Sequence, residues 1–216
     1  MPRVSSLSGR PRLRALPGLP GVGAPDLSDE HLIDAVQRGD ERVSGAIYDR
    51  LYAVVDHTLF RVFGRREPDH DDLVQAAFEQ IVLTLSKQSF ARACSLKTWA
   101  STVASHVGLN ALRARRRERR VYDRGTEIDG EYAAAATDPE RETASRALLE
   151  RVRSELGCMS LDRAEAVFLH DVLGHELAEI ALMTGVSVAA AQSRLVRGRR
   201  ELTRRLERSD TGGGDA

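Results

Sequence analysis

The chain is poor in aromatic residues and cysteine and carries no net charge. Phe, Trp and Tyr make up 5% of its 216 residues, while the hydrophobic fraction is 42%. That balance excludes a membrane-embedded protein and suits a soluble, helix-rich one. The two cysteines, Cys94 and Cys158, stand far apart without metal-ligand spacing, which fits a reducing cytoplasm. No apolar run approaches the roughly 20 residues of a membrane span. Residues 1–26 also lack the continuous apolar stretch and small-residue cleavage site of a secretory leader. There is no Gly-rich phosphate loop, nucleophile elbow or HExxH spacing. His70 with Asp69, Asp71 and Asp72 are neighbours on one helix and point around it, so they cannot converge on one metal ion. His170 and His175 are separated by Gly174, which breaks the helix between them. Nothing here calls for catalysis, a cofactor or a metal.

What is present is segregated charge. Residues 112–120, LRARRRERR, hold six arginines in nine positions, and residues 194–205, RLVRGRRELTRR, hold six in twelve. The compensating acid lies in PDLSDE (25–30), REPDHDD (66–72) and residues 123–142. Segregation of this kind points to partners rather than to solubility. Within two helical turns the first cluster repels itself by a few tenths of a kcal/mol per like-charged i,i+4 pair. A polyanion that neutralises it, with counterion release, is the physical candidate.

Periodicity gives an all-α fold of two small helical domains. Residues 1–26 are rich in Pro, Gly and Ser without periodicity, and read as a disordered tail. In 27–122, Leu32, Ile33 and Val36 mark a short helix ended by Gly39. A long amphipathic helix runs from Val43 to Phe63 and stops at Gly64. A third opens at Pro68-Asp69, with Leu73, Ala77, Ile81 and Leu85 inside and Asp71, Asp72 and Gln75 outside. Residues 87–95 form a loop. A helix from Leu96 packs Trp99, Val103 and Val107 and runs into the first arginine cluster. Residues 123–144 read as an acidic flexible linker and 208–216 as a disordered tail. In 145–207, Leu148, Leu149, Val152 and Leu156 form one stripe. Leu161, Ala164, Val167 and Phe168 form another, with Ser160 as N-cap.

Residues 175–202, HELAEIALMTGVSVAAAQSRLVRGRREL, have the layout of a helix-turn-helix. Gly185 permits the positive φ of the turn and Ser187 caps the second helix, which extends to about Glu207. Ala178 and Ala191 allow the two helices to approach. Gln192, Arg194, Arg197, Arg199 and Arg200 on the second helix favour DNA contact over a purely structural hairpin.

In combination these segments resemble the extracytoplasmic-function (ECF) sigma factors of bacterial RNA polymerase, within the sigma-70 family. The resemblance covers roughly residues 28–120 and 145–207. DHDDLVQAAF (69–78) is similar to the family's acidic helix that docks on the clamp coiled coil of the polymerase β′ subunit. It matches at Asp72, Leu73, Gln75 and Phe78, with Asp69 and Asp71 in the same segment. SLKTWASTVASHVGLNALRARRR (95–117) is similar to the helix that engages the −10 promoter element. The resemblance places Lys97, Trp99, His106, Asn110, Arg113, Arg115, Arg116 and Arg117 there. It also places Lys87, Ser89 and Phe90 on a loop that captures a flipped base. The helix-turn-helix matches the −35 reader at Glu179-Ile180-Ala181, Gly185-Val186-Ser187 and Ser193-Arg194-Leu195. Its DNA-facing residues would be Ser187, Ala190, Ala191, Gln192, Arg194, Arg197 and Arg200.

The chain departs from the family pattern with Ala189-Ala190-Ala191-Gln192 where Gly-Thr-Val-Lys is common. It also has Ala76 in place of an acid, and His106 and Asn110 in place of Asn and Asp. The resemblance implies a cytoplasmic protein that is monomeric when free and uses no cofactor. Its partners would be core polymerase (β′ clamp and β flap), promoter DNA and an anti-sigma protein. A dimeric helix-turn-helix regulator of operators is the other reading, and it leaves the DHDDLVQ and LRARRRERR helices unused.

Overall fold

The computed structural model describes residues 27–122 and 139–211. The expected tail 1–26, most of the expected linker and residues 212–216 lie outside the described residues. Helix α1 (Asp29–Gln37) begins where the Ser28 hydroxyl accepts from the His31 N–H. A 3₁₀ turn at Glu41–Val43 leads into α2 (Ser44–Phe63), and α3 (His70–Ser86) follows. The 27-residue α4 (Leu96–Tyr122) carries the first arginine cluster. The second unit comprises α5 (Pro139–Leu156), α6 (Leu161–Val167) and α7 (Leu177–Thr184), with a π-helical turn at Phe168–Val172 after α6. It ends in α8 (Val188–Thr211). No strand occurs among the described residues.

Two boundaries differ from the sequence reading. Helix α5 starts at Pro139, inside the stretch read as linker. Proline's fixed φ and absent N–H suit a first helical position. Helix α8 runs to Thr211 rather than Glu207. The stripe on α5 is also only half used. Val152 and Leu156 meet the core, whereas Leu148 and Leu149 lie about half exposed on the helix's N-terminal part. Ser160 stands at the N-cap of α6 without a side-chain cap bond.

The two units share one apolar core. Leu51, Val55, Leu59, Ile81, Leu85, Leu96 and Leu109 are buried with Leu156, Met159, Ala164, Val167, Phe168 and Leu195 in a single cluster. Helix α4 forms the common wall, contacting α2 and α3 on one side and α5, α6 and α7 on the other. Tight spacing also fixes α8 on α6. A Cβ on Gly198 would lie 2.7 Å from Val167 Cγ2 and 2.9 Å from the Arg163 carbonyl oxygen, so no larger residue fits. A smaller cluster of Leu169, Ile180, Ala181 and Ala191 holds α7 to α8.

Candidate nucleic-acid interface

Helix α3 separates its two faces cleanly. Asp71, Asp72, Gln75 and Glu79 are exposed, and Gln75 Nε2 donates to Glu79 Oε1 at 3.0 Å. Leu73 and Phe78, expected on the docking face, point into the core instead. Their side chains serve the period-3.6 apolar stripe that holds α3 in place. Asp69 is drawn away too, because its carboxylate accepts from Arg115 Nη2 at 2.5 Å. The sequence did not single out Tyr48 of α2. It is 45% exposed, its ring centroid lies 4.8 Å from that of Phe78, and burial followed by the nearby Tyr52 and Asp71 pushes its hydroxyl pKa up. Its distance of more than 20 residues from the acidic motif hid it.

The 87–95 loop leaves α3 through two left-handed non-glycine residues, Gln88 and Arg92. Arg92 Nη2 ties it back to α1 through Asp34 at 2.5 Å. Lys87, Ser89 and Lys97 are exposed. Phe90 and Trp99 are not available to a base. They are 8% and 7% exposed and pack on each other, ring centroids 4.7 Å apart. Burying two rings contributes more in an aromatic-poor core than leaving them in water.

On α4 the residues Ser101, Thr102 and Ser105 are buried, in part beneath the second unit. Ser101 Oγ lies 3.3 Å from His175 Nε2, and Thr102 Oγ1 donates to Met183 Sδ at 3.0 Å. His106 faces Glu165 of α6 at 3.5 Å, and the hydrogen bond to that carboxylate raises its pKa. Asn110 is exposed. Arg61 on α2 donates to the Val172 carbonyl, a further tie between the units.

The first arginine cluster is divided. Arg115 is a structural residue. It reaches Glu67 at 3.0 Å as well as Asp69, and its guanidinium lies 4.6 Å from the centroid of the Phe63 ring. Arg113, Arg116 and Arg117 have no carboxylate partner among the described residues and line a small cavity against Gly157, Cys158 and Met159.

The helix-turn-helix forms as read. Gly185 has φ 68°, Glu176 and Glu179 make a capping box on α7, and Ser187 Oγ accepts from the Ala190 N–H at 3.2 Å. Ala191 is fully buried, so it seats the two helices instead of touching DNA. Ala178 is exposed and plays no part in their approach. Arg194, expected to face DNA, is partly exposed and pairs with Asp162 of α6 at 2.9 Å. Gln192, Arg197 and Arg200 remain exposed, with Val188 and Ala189 beside the turn and Ala190 partly covered.

An acidic helix face, a basic helix and a helix-turn-helix are carried on one all-α frame, the layout of a helical transcription protein. Residues 47–118 match the family model for sigma-70 region 2, and residues 149–202 match the model for sigma-70, region 4. Among curated relatives, the chain is 29% identical over 185 residues to the RNA polymerase sigma factor NccH of Alcaligenes xylosoxydans xylosoxydans, covering 84% of this chain and 96% of NccH. Against the RNA polymerase sigma factor CnrH of Cupriavidus metallidurans it is 29% identical over 191 residues, covering 85% and 96%. The solved structure of CnrH in complex with the cytosolic domain of CnrY aligns with a TM-score of 0.45 at 26% identity, covering 83% and 97%. The chain belongs to the sigma-70 family, as an ECF RNA polymerase sigma factor. No helix among the described residues is long and apolar enough to cross a membrane.

Proposed function

We propose that this sigma factor docks on the β′ clamp coiled coil of core polymerase through the exposed face of α3, directs the enzyme to promoters and helps open the −10 region. The observation that carries the reading is the order of parts. The acidic face of Asp71, Asp72 and Gln75 precedes the basic α4, and a capped helix-turn-helix follows in the second unit. Lys87, Ser89, Lys97 and Asn110 are exposed and would meet the −10 strand, with Arg113, Arg116 and Arg117 on its phosphates. Gln192 would read a −35 base edge, and Arg197 and Arg200 would hold the backbone. The second unit would also meet the β flap.

Promoter engagement along the Ser101–Ser105 face of α4 requires the two units to part, because Met183 and His175 cover it. An anti-sigma protein that favours one arrangement over the other would regulate this step. Working with polymerase, the protein acts in the cytoplasm and contributes no covalent chemistry of its own.

The test is docking. Replacing Asp72 and Gln75 together with Ala touches only exposed side chains and leaves the fold intact. The folded double variant should lose most core-polymerase binding in a pull-down and most transcription from a cognate promoter. Unchanged binding would remove α3 from the interface.

A further inference from the structure

The cavity beside the first arginine cluster has the makings of a second anion site, open to those arginines while the two units are packed together. Its volume is about 140 Å³, and its lining is Arg113, Arg116 and Arg117 on α4 facing Gly157, Cys158 and Met159 in the turn between α5 and α6. None of the three arginines has an ion pair or hydrogen bond among the described residues, and the buried Arg116 Nε has no partner among them. A buried guanidinium donor left unmatched is costly, so a ligand that accepts from it is favoured. The opposite wall brings no countercharge. The backbone N–H groups of Gly157, Cys158 and Met159 are already spent on the carbonyls of Arg153, Glu155 and Leu156.

The requirement is therefore a compact acceptor of high charge. At well under the roughly 300 Å³ of a pocket for a drug-sized ligand, the space suits one tetrahedral oxyanion rather than a nucleoside. We propose that this cavity binds a single phosphate group, either inorganic phosphate or the end of a small phosphomonoester. Guanidinium forks match the oxygens of a phosphate dianion in geometry and charge.

The two walls of the site come from the two units. Occupancy therefore favours the packed arrangement in which α4 lies against the α5–α6 turn. By linkage, phosphate opposes any ligand that needs the units apart. The site itself does not depend on the sigma reading, since it rests on the cavity and its unmatched donors.

Isothermal titration of the full chain with inorganic phosphate, at fixed ionic strength in chloride, tests it. Saturable binding at one site is expected, and Arg116→Gln should weaken it about tenfold or more through loss of a charge-assisted hydrogen bond. Arg200→Gln, on the exposed face of α8, should leave it unchanged. Cys158→Leu fills the cavity while keeping every arginine, and should abolish phosphate binding yet leave promoter-directed transcription intact. Loss of transcription alone would thus indict the sigma reading and not the site. Glycerol 3-phosphate binding as tightly as phosphate identifies a phosphomonoester as the ligand class, and binding of inorganic phosphate alone identifies the free ion. Either outcome supports the proposal. Absence of saturation, equal binding by Arg116→Gln and Arg200→Gln, or binding undiminished in Cys158→Leu overturns it.

Discussion

The two arginine clusters look alike in one dimension and differ in three. On α4, one arginine of the described four, Arg115, is neutralised by Glu67 and Asp69, and the other three are unmatched. On α8 the balance is even. Arg194 is held by Asp162, Arg199 by Asp171 and Arg205 by Glu201, while Arg197, Arg200 and Arg204 stay exposed. Arg199 in turn keeps the Asp171 carboxyl below its usual pKa. Arg194 and Arg199 therefore fasten that helix to α6 and to the π-helical turn. Local density of positive charge indicates that some partner exists. Only packing tells whether that partner is already in the chain.

The sharpest way to break the comparison is to prise α8 from α6. Gly198→Leu must displace Val167 and the Arg163 backbone, and should cost about 3 kcal/mol, at the upper end for overpacking. Denaturant unfolding measures it, and a cost below ~0.5 kcal/mol would mean that α8 is not seated as described.

Within the α4 cluster, Arg115→Ala should destabilise by about 1 kcal/mol, since it removes the contacts to Asp69 and Phe63 and one of the two arginines on the mostly buried Glu67, which keeps Arg65 at 2.6 Å. Arg117→Ala should stay within about 0.5 kcal/mol. On duplex DNA the order inverts. Arg117→Ala should flatten log K against log salt by up to about 0.9, whereas a folded Arg115 variant should leave the slope alone.

On α8, Gln192→Ala should alter the preferred −35 base by about 1–3 kcal/mol of discrimination if the contact is bidentate. Arg194→Ala should change no base preference and cost under about 1 kcal/mol as a partly exposed ion pair. A randomised −35 library transcribed by each variant decides between them.

The smallest effect concerns His106. Its folded pKa is raised by Glu165, with Asp162 adding at longer range. Its contribution to stability is therefore complete below the ordinary imidazole value of about 6.5, and is lost as pH rises through the folded pKa. The wild-type chain should lose a little stability as pH rises above the ordinary imidazole range, and His106→Gln should not. Identical pH profiles for the two would show that the contact does not matter.

The helices, the capped turn at Gly185–Ser187 and the exposed acidic face of α3 were legible in the sequence because each rests on local signals. Periodicity, a residue that tolerates positive φ and a capping hydroxyl all act within a few positions. The misreadings share a different cause. Phe90 and Trp99 resemble base-stacking residues until their mutual packing is seen, and Ala191 resembles a thymine contact until it is found buried. Arg194 and Arg115 find acids 32 and 46 to 48 residues away, as Tyr48 finds Phe78 at a distance of 30. None of those pairings has a sequence period. Nor did any local pattern foretell that α4 would be roofed on both sides, because the apolar surface of α6 and α7 could have been satisfied within their own unit.

That roofing carries a consequence for chain connectivity. Among the described residues the core runs continuously from α2 through α4 to α6. Apolar packing between the described helices therefore holds the halves side by side, and a covalent link between them would raise the concentration at which they meet. A chain cut between Tyr122 and Pro139 would persist as a non-covalent pair, able to come apart with second-order rather than first-order return.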